Sequence, residues 1–433
     1  MDEKEYLQTL GEQIVNPHAR ASVLAEIQDH IEEQAQDYRA SGMSEAVAMQ
    51  EAVRQMGDPV STGEALNQVH RPKFPIALFG LAVVLTVLGI AMQYLVYTHL
   101  TPDTAILSDT YLQRTILYNA IGLGLLLLCI FGNYMYLAKG AWILLAIFLL
   151  GLLPPWFFGF YGRQYTLCYY LALVYPLVYA LLLYRLRDKG AKAIWFLHGL
   201  TLLFLVRMLF GTIITWSTVL AAGCLTLLLL CLAIHRGILT GSSKRTLWLL
   251  TVLPYVAAAA CFVILFFQNS YMRDRLTEFL KGSGYVQQML SLEQQQMLAF
   301  GGGTISSYVD TESLASTYVL HSIFLWFGIV SGILVIVALA VLVLRSLHYA
   351  LHQSNRLALL AGTAASGILL FELLHFVLTN LGCSPVYTAS VPFLSYGFAN
   401  SVFNSLLVGI TLGVIRNQNV LSETTASLRG LRA

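Results

Sequence analysis

From residue 75 onward the chain consists of apolar runs about 20 residues long, separated by short polar turns. A run of that length crosses the hydrocarbon core of a bilayer as a helix, because lipid offers no partner for an unpaired backbone amide. Ten spans are expected, at about 75–98, 115–136, 140–159, 165–184, 193–210, 213–234, 246–267, 318–344, 357–380 and 393–415. The expected fold is all-α: a polytopic membrane protein with about ten transmembrane helices and a small N-terminal helical domain in the cytoplasm. Composition agrees, since 57% of residues are hydrophobic and only 11% are charged, against ~25% charged in soluble domains.

An even number of spans places both termini on one side. With the N-terminus inside, the inner loops carry ten basic residues: Lys139, Arg185, Arg187, Lys189, Lys192, Arg236, Lys244, Arg245, Arg345 and Arg356. The outer loops and span ends carry six: Arg114, Arg163, Arg207, Arg273, Arg275 and Lys281. Basic residues gather on the cytoplasmic side, so an N-in, C-in topology is expected. The polar, charged N-terminus is not expected to act as a cleavable signal peptide.

The first 70 residues differ from the rest. They hold 13 of the 23 acidic residues and four basic ones, Lys4, Arg20, Arg39 and Arg54. That acidic balance argues against nucleic acid as a partner. A helix is expected over 4–15. A second follows in the stretch from Asn16, where Val23, Leu24, Ile27 and Ile31 recur at helical spacing, and Gly42 ends it. Ser44 caps a third, with Ala46, Val47, Ala52 and Val53 as its apolar residues; Met56–Pro59 stops it, and a last helix runs from Ser61 to about Val69. The boundaries expected are a soluble domain at 1–73, a membrane domain at 74–417 and a short cytoplasmic tail at 418–433.

Between the seventh and eighth spans lies the only large outer loop, about 268–317. It is too polar to face lipid, and its apolar spacing predicts ordered structure on the outer surface. Elsewhere the chemistry-bearing residues are few. Glu372 is the only acidic residue inside an expected span, with His375 on the same helix face. A neutral Glu372 bonded to His375 or Arg207 and a functional carboxylate are both consistent with that placement. The Glu-x-x-His spacing matches bundle di-iron sites, but the spans lack the further carboxylates, so no metal site is expected. The six cysteines, Cys129, Cys168, Cys224, Cys231, Cys261 and Cys383, have no metal or redox spacing and read as small core residues.

Four stretches after residue 268 carry a recognisable pattern. "PVYTASVPFLSYGFANS" resembles the signature of the FtsW/RodA/SpoVE family, with Pro385, Val386, Pro392, Phe393, Ser395, Tyr396 and Gly397 aligned without a gap. "YMRDRLTEFL", "GYVQQMLSLEQQQMLAFGGG" and "LHSIFLWFGIVSGILVIV" are similar to the start and middle of that family's large loop and to the helix after it. The N-terminal segment resembles the short helical prefix domain found ahead of some permease-like membrane proteins of Gram-positive bacteria.

The resemblance implies peptidoglycan synthesis in division, elongation or sporulation at the bacterial cytoplasmic membrane. The reaction implied is glycosyl transfer between lipid-linked disaccharide-pentapeptides (lipid II), often beside a class B penicillin-binding protein. Such chemistry requires a general base for the acceptor hydroxyl and a cation, from a side chain or a divalent metal, for the leaving diphosphate. No other cofactor is implied. Arg273 and Arg275 fall where the diphosphate would arrive. Gln295, Gly302, Pro392, Ser395, Tyr396 and Gly397 fall in the substrate-groove motifs.

The catalytic aspartate of the family is missing. Aligning Gly328 with the family's helix puts Thr317 at the aspartate position, with Ser316 and Ala315 before it. Asp310 and Glu312 lie seven and five residues upstream and are the candidate bases. Phe398 replaces a glycine of the signature, and Glu372 stands where the family has a glutamine. An active polymerase and a scaffold or regulator that has lost catalysis therefore both remain, with a lipid or solute transporter as a third alternative. No internal inverted repeat of the transporter kind is apparent.

Overall fold

A computed structural model describes residues 1–100, 110–153, 164–209, 216–302, 315–384 and 390–418. The described chain is helical. It divides into two compact units, one built on Met1–Pro75 with Gln353–Ala358 and the chain from Val414, the other on Ile76–His352 and Leu359–Gly413.

The first unit begins with four helices: α1 (Glu3–Gln13), α2 (Pro17–Ala40), α3 (Glu45–Gln55) and α4 (Pro59–Val69). Their apolar faces meet in a core of Tyr6, Leu10, Ile14, Val23, Ile31 and Val53, against which Leu24 and Ile27 pack. Gly42, at φ 95°, ends α2 as the sequence suggests. On α3 the buried face is Ala48, Ala52 and Val53, whereas Ala46 and Val47 are exposed. The first turn of α3 thus projects beyond the core, and only the second half of its expected apolar stripe is used. The last helix starts earlier than expected: Asp58 caps it by accepting from the Ser61 amide at 2.8 Å, with Pro59 as its first residue.

The second unit holds the membrane helices and the helices of the large loop. We number them α5 (Ile76–Leu100), α6 (Tyr111–Phe131), α7 (Met135–Lys139), α8 (Ala141–Gly151), α9 (Gln164–Arg185), α10 (Ala191–Leu209), α11 (Trp216–His235), α12 (Lys244–Gln268), α13 (Ser270–Leu280), α14 (Tyr285–Gln294), α15 (Val319–Phe327), α16 (Ile329–Leu351), α17 (Arg356–Asn380) and α18 (Phe398–Arg416). Nine helices among the described residues are long and apolar enough to cross a membrane, and Ala141–Gly151 is a shorter apolar helix within the expected third span. Pro154, Pro155 and Arg163 lie outside the described residues. Helices α9, α17 and α18 are the most enclosed, and α12 is almost wholly exposed along its length.

The expected eighth span is not one helix. It breaks at Gly328, whose φ of 89° requires glycine, into α15 and α16. A Cβ there would stand 2.6 Å from the Ala299 carbonyl oxygen. The loop fills the break: Ile329 N–H donates to Leu298 O at 2.9 Å and Val330 N–H to Ala299 O at 3.2 Å. These bonds satisfy amides that a helix start leaves orphaned. The expected tenth span likewise becomes helical only at Phe398, because Val391–Gly397 takes an irregular path.

Candidate functional site

The site is built around one amide in an apolar helix. Gln93 lies buried in α5. Its Nε2 donates to Ala315 O at 2.7 Å and to Leu394 O at 2.8 Å, and its Oε1 accepts from the Tyr111 hydroxyl of α6. A buried amide in an apolar span is costly unless its hydrogen bonds are made, and Gln93 makes three. It thereby joins two helices, the end of the large loop and the segment before α18.

That segment, Val391–Gly397, is non-helical and mostly buried, with Pro392 and Ser395 both enclosed. The Ser395 hydroxyl accepts from Val391 N–H at 3.0 Å and donates to Ser316 O at 2.8 Å. Tyr396 N–H donates to Ala315 O at 3.1 Å. Asn400, in the first turn of α18, donates to Ser395 O at 2.8 Å, and Asn404 supports Asn400 at 2.5 Å. Irregular backbone at this depth persists because side chains replace the missing helical bonds. Phe393 takes φ 69°, rare for a residue with a side chain. Its carbonyl lies so close to α5 that a Cβ on Gly89 would stand 2.0 Å from it.

Aromatic rings flank the junction. Tyr396 stacks on Tyr111 at 4.5 Å between centroids, Tyr97 stacks on the same ring at 6.0 Å, and Tyr118 meets Phe398 edge-on at 5.3 Å. Phe398, the departure from the glycine of the signature, is half exposed. Val96, Tyr111 and Ala315 form the buried centre, with Tyr97, Trp326 and Tyr396 partly exposed around it. Gly302 approaches this group, since its Cβ would meet Trp326 O at 3.1 Å.

Thr317, half-buried in a turn before α15, belongs to the same strip of chain. Its carbonyl accepts from Asn380 Nδ2 at 2.9 Å, and Asn380 Oδ1 accepts from His321 N–H at 2.9 Å. The His321 ring pairs with Glu293 of α14, Nε2 to Oε2, at 2.7 Å. Both residues are sealed, His321 at 0% and Glu293 at 1% exposure. Sequence reasoning missed this pair. The signal was available: Met289, Leu290 and Glu293 share the buried face of α14, so a carboxylate interrupts an apolar stripe.

The remaining candidates fall elsewhere or outside the described residues. Arg273 is exposed on α13, and Arg275 is half-buried, its Nε donating to the Tyr271 hydroxyl at 3.1 Å. Gln295 is exposed at the end of α14, and Gly397 lies at φ 137° just before α18. Glu372 is buried in α17, but the bond it makes is to neither His375 nor Arg207. Tyr169 of α9 donates to it at 3.4 Å, while the Arg207 Nε donates to Leu152 O and the His375 ring stacks on Phe371. The sequence could not show that α9 brings a tyrosine to this level. Asp310, Glu312, Gly303, Pro385 and Val386 lie outside the described residues. Among the described residues no three His, Cys, Asp or Glu side chains gather to hold a metal. An apolar cavity of about 390 Å³ opens between α9, α10, α11 and α12, lined in part by Tyr175, Phe204, Cys224 and Tyr255.

Comparison with known proteins agrees with this architecture. Residues 5–61 match the HAAS family model. No curated protein sequence matches the chain. Among solved structures, a chain of a peptidoglycan synthase complex that coordinates polymerization and crosslinking superposes with a TM-score of 0.56 at 18% identity, over 80% of this chain and 98% of its own. An Asp-to-Ala variant of the Thermus thermophilus rod shape determining protein RodA does so with a TM-score of 0.50, also at 18% identity and over the same shares. The chain thus has the RodA fold over 80% of its length, with a HAAS segment at residues 5–61.

Proposed function

We propose that the protein acts in peptidoglycan synthesis at the bacterial cytoplasmic membrane, binding lipid II or another undecaprenyl-linked precursor on the outer face and transferring its glycan to an acceptor. The observation that carries this reading is the junction at Gln93. It holds the Val391–Gly397 segment, which carries a signature motif, against the end of the large loop in a chain of RodA fold. The partly exposed Tyr97, Trp326 and Tyr396 offer amphipathic faces to a sugar. Arg273 and Arg275 hold the diphosphate, and the apolar cavity beside α12 suits part of a prenyl chain. Both termini face the cytoplasm, as the basic residues favour. The partner is a class B penicillin-binding protein. The reading requires a base in place of Thr317, for which the sequence offers Asp310 and Glu312 as candidates.

A second reading is a scaffold or regulator of wall synthesis that no longer polymerises. Thr317 favours it, because a threonine hydroxyl is no base near neutral pH. Purified protein incubated with lipid II decides between them. Glycan strands on a gel support the polymerase, lipid II binding without strands supports the scaffold, and absence of binding removes both.

A further inference from the structure

We propose that Glu293 and His321 form the acid–base unit of the outer site, with His321 Nδ1 the atom that takes the acceptor's proton. The inference rests on the glycosyl-transfer reading above and names the groups that would perform it.

The first argument is the state of the ring. If Glu293 is ionised, as the proposal requires, it can only accept, and the hydrogen of the 2.7 Å bond is on His321 Nε2. In the neutral imidazole Nδ1 is then a bare lone pair. A carboxylate that fixes the tautomer and steadies the imidazolium once it forms is the arrangement that makes histidine an effective base.

The second argument is an orphan atom. His321 Nδ1 is buried and has no hydrogen-bond partner among the described residues. An acceptor closed away from water without a partner is costly, and such atoms in native proteins usually meet an ordered water or a ligand. A sugar hydroxyl, directly or through one water, is a donor of the kind that Nδ1 lacks.

The third argument is position. His321 lies four residues after Thr317, about one helical turn. Its backbone amide is held by Asn380, whose side chain also grips the Thr317 carbonyl. The root of the ring is therefore tied to the strip of chain that carries Ala315 and Ser316, to which Gln93, Ser395 and Tyr396 attach.

The step balances. The acceptor O–H bond breaks and its proton passes to Nδ1, while the oxygen's electron pair forms the bond to the donor's anomeric carbon. The bond from that carbon to the diphosphate oxygen breaks, and the diphosphate leaves with the electron pair. The imidazolium, stabilised by Glu293, releases its proton when the product departs.

The test uses the full-length protein with lipid II in detergent, followed by glycan gels, a lipid II binding titration and thermal unfolding. His321→Gln should lower the polymerisation rate by about 10²-fold or more and Glu293→Gln by at least about tenfold, in line with loss of a general base, while lipid II affinity holds. Added imidazole should return part of the activity to His321→Gly. Full activity in His321→Gln overturns the proposal. So does a loss in which binding and thermal midpoint fall together and imidazole restores nothing, which marks the pair as packing alone. Wild-type protein that binds lipid II and makes no strands also overturns it and leaves the scaffold reading; protein that does not bind lipid II removes the underlying reading, and the inference with it.

Discussion

The hydroxyl of Ser395 donates to the backbone carbonyl of Ser316, 79 residues earlier, at 2.8 Å. This bond and the two donated by Gln93 fasten the segment before the last helix to the end of the large loop. Gln93→Leu keeps the apolar character of α5 and removes the fastening. Each polar group left buried and unpaired should cost about 1–3 kcal/mol. A lower unfolding midpoint in detergent, with weaker lipid II binding, is the expected result; a variant as stable as wild type would show that the junction is held by packing.

Two glycines of one helix should respond in opposite ways. Gly89→Ala drives a methyl group into the Phe393 carbonyl, whereas a Cβ on Gly80 meets nothing within 4 Å. Overpacking of this kind costs about 1–3 kcal/mol or more, while Gly→Ala in an open helix interior gains roughly 0.5–1 kcal/mol. Comparing the two unfolding midpoints checks the close approach directly.

The prefix segment should fold alone. Residues 1–70, expressed by themselves, should give a helical circular dichroism spectrum. Leu10 is fully buried, so Leu10→Ala should cost about 2–5 kcal/mol, enough to unfold most small domains. The Asp58 carboxyl is held below its usual range by the Ser61 amide that it caps. A lowered folded-state value means that its contribution is present above the unfolded pKa, ~3.9, and is lost as pH falls through the folded value. Acid titration of the segment should therefore show a loss of stability below about pH 4 that Asp58→Ala makes shallower.

Charge reversal at Arg275 should weaken lipid II binding by more than the ~1 kcal/mol typical of an exposed pair, because a partly desolvated phosphate contact is stronger. The half-buried setting against Tyr271 fits that expectation. An unchanged titration would falsify the diphosphate role.

Thr317→Asp restores the carboxylate that the signature leads one to expect. A gain in lipid II polymerisation would identify a degenerate enzyme whose groove still accepts substrate. Asp310→Asn and Glu312→Gln belong in the same assay: if either is the base, its loss should cost about 10²–10⁴ in rate. Robust activity that survives both changes moves the search to Glu293 and His321.

Much of the architecture could be read from the sequence because lipid imposes a single demand. Twenty apolar residues form a helix whatever else they do, so the spans were visible, as was the acidic helical prefix with its Gly42 stop. What failed depended on three-dimensional company. The break at Gly328 is set by a loop carbonyl pressed against it, and no run of apolar residues records that pressure. Val47 looks like a core residue by spacing alone, yet the face that α3 buries is Ala48, Ala52 and Val53. The motif residues Ser395 and Tyr396 were legible as a pattern, but Gln93, which binds their segment to the loop, is one polar residue in a long apolar run. Glu293 and His321 were overlooked because each appears solitary until the loop folds back on the span.

The break between α15 and α16 turns two amide protons into reporters. In a continuous helix the amides of Ile329 and Val330 would be protected by carbonyls one turn earlier. Here they are protected by Leu298 and Ala299, residues of the large loop. Their exchange with deuterated water therefore follows the docking of the loop. A substrate or partner protein that lifts or clamps that loop would announce itself at these two positions, with no label added to the protein.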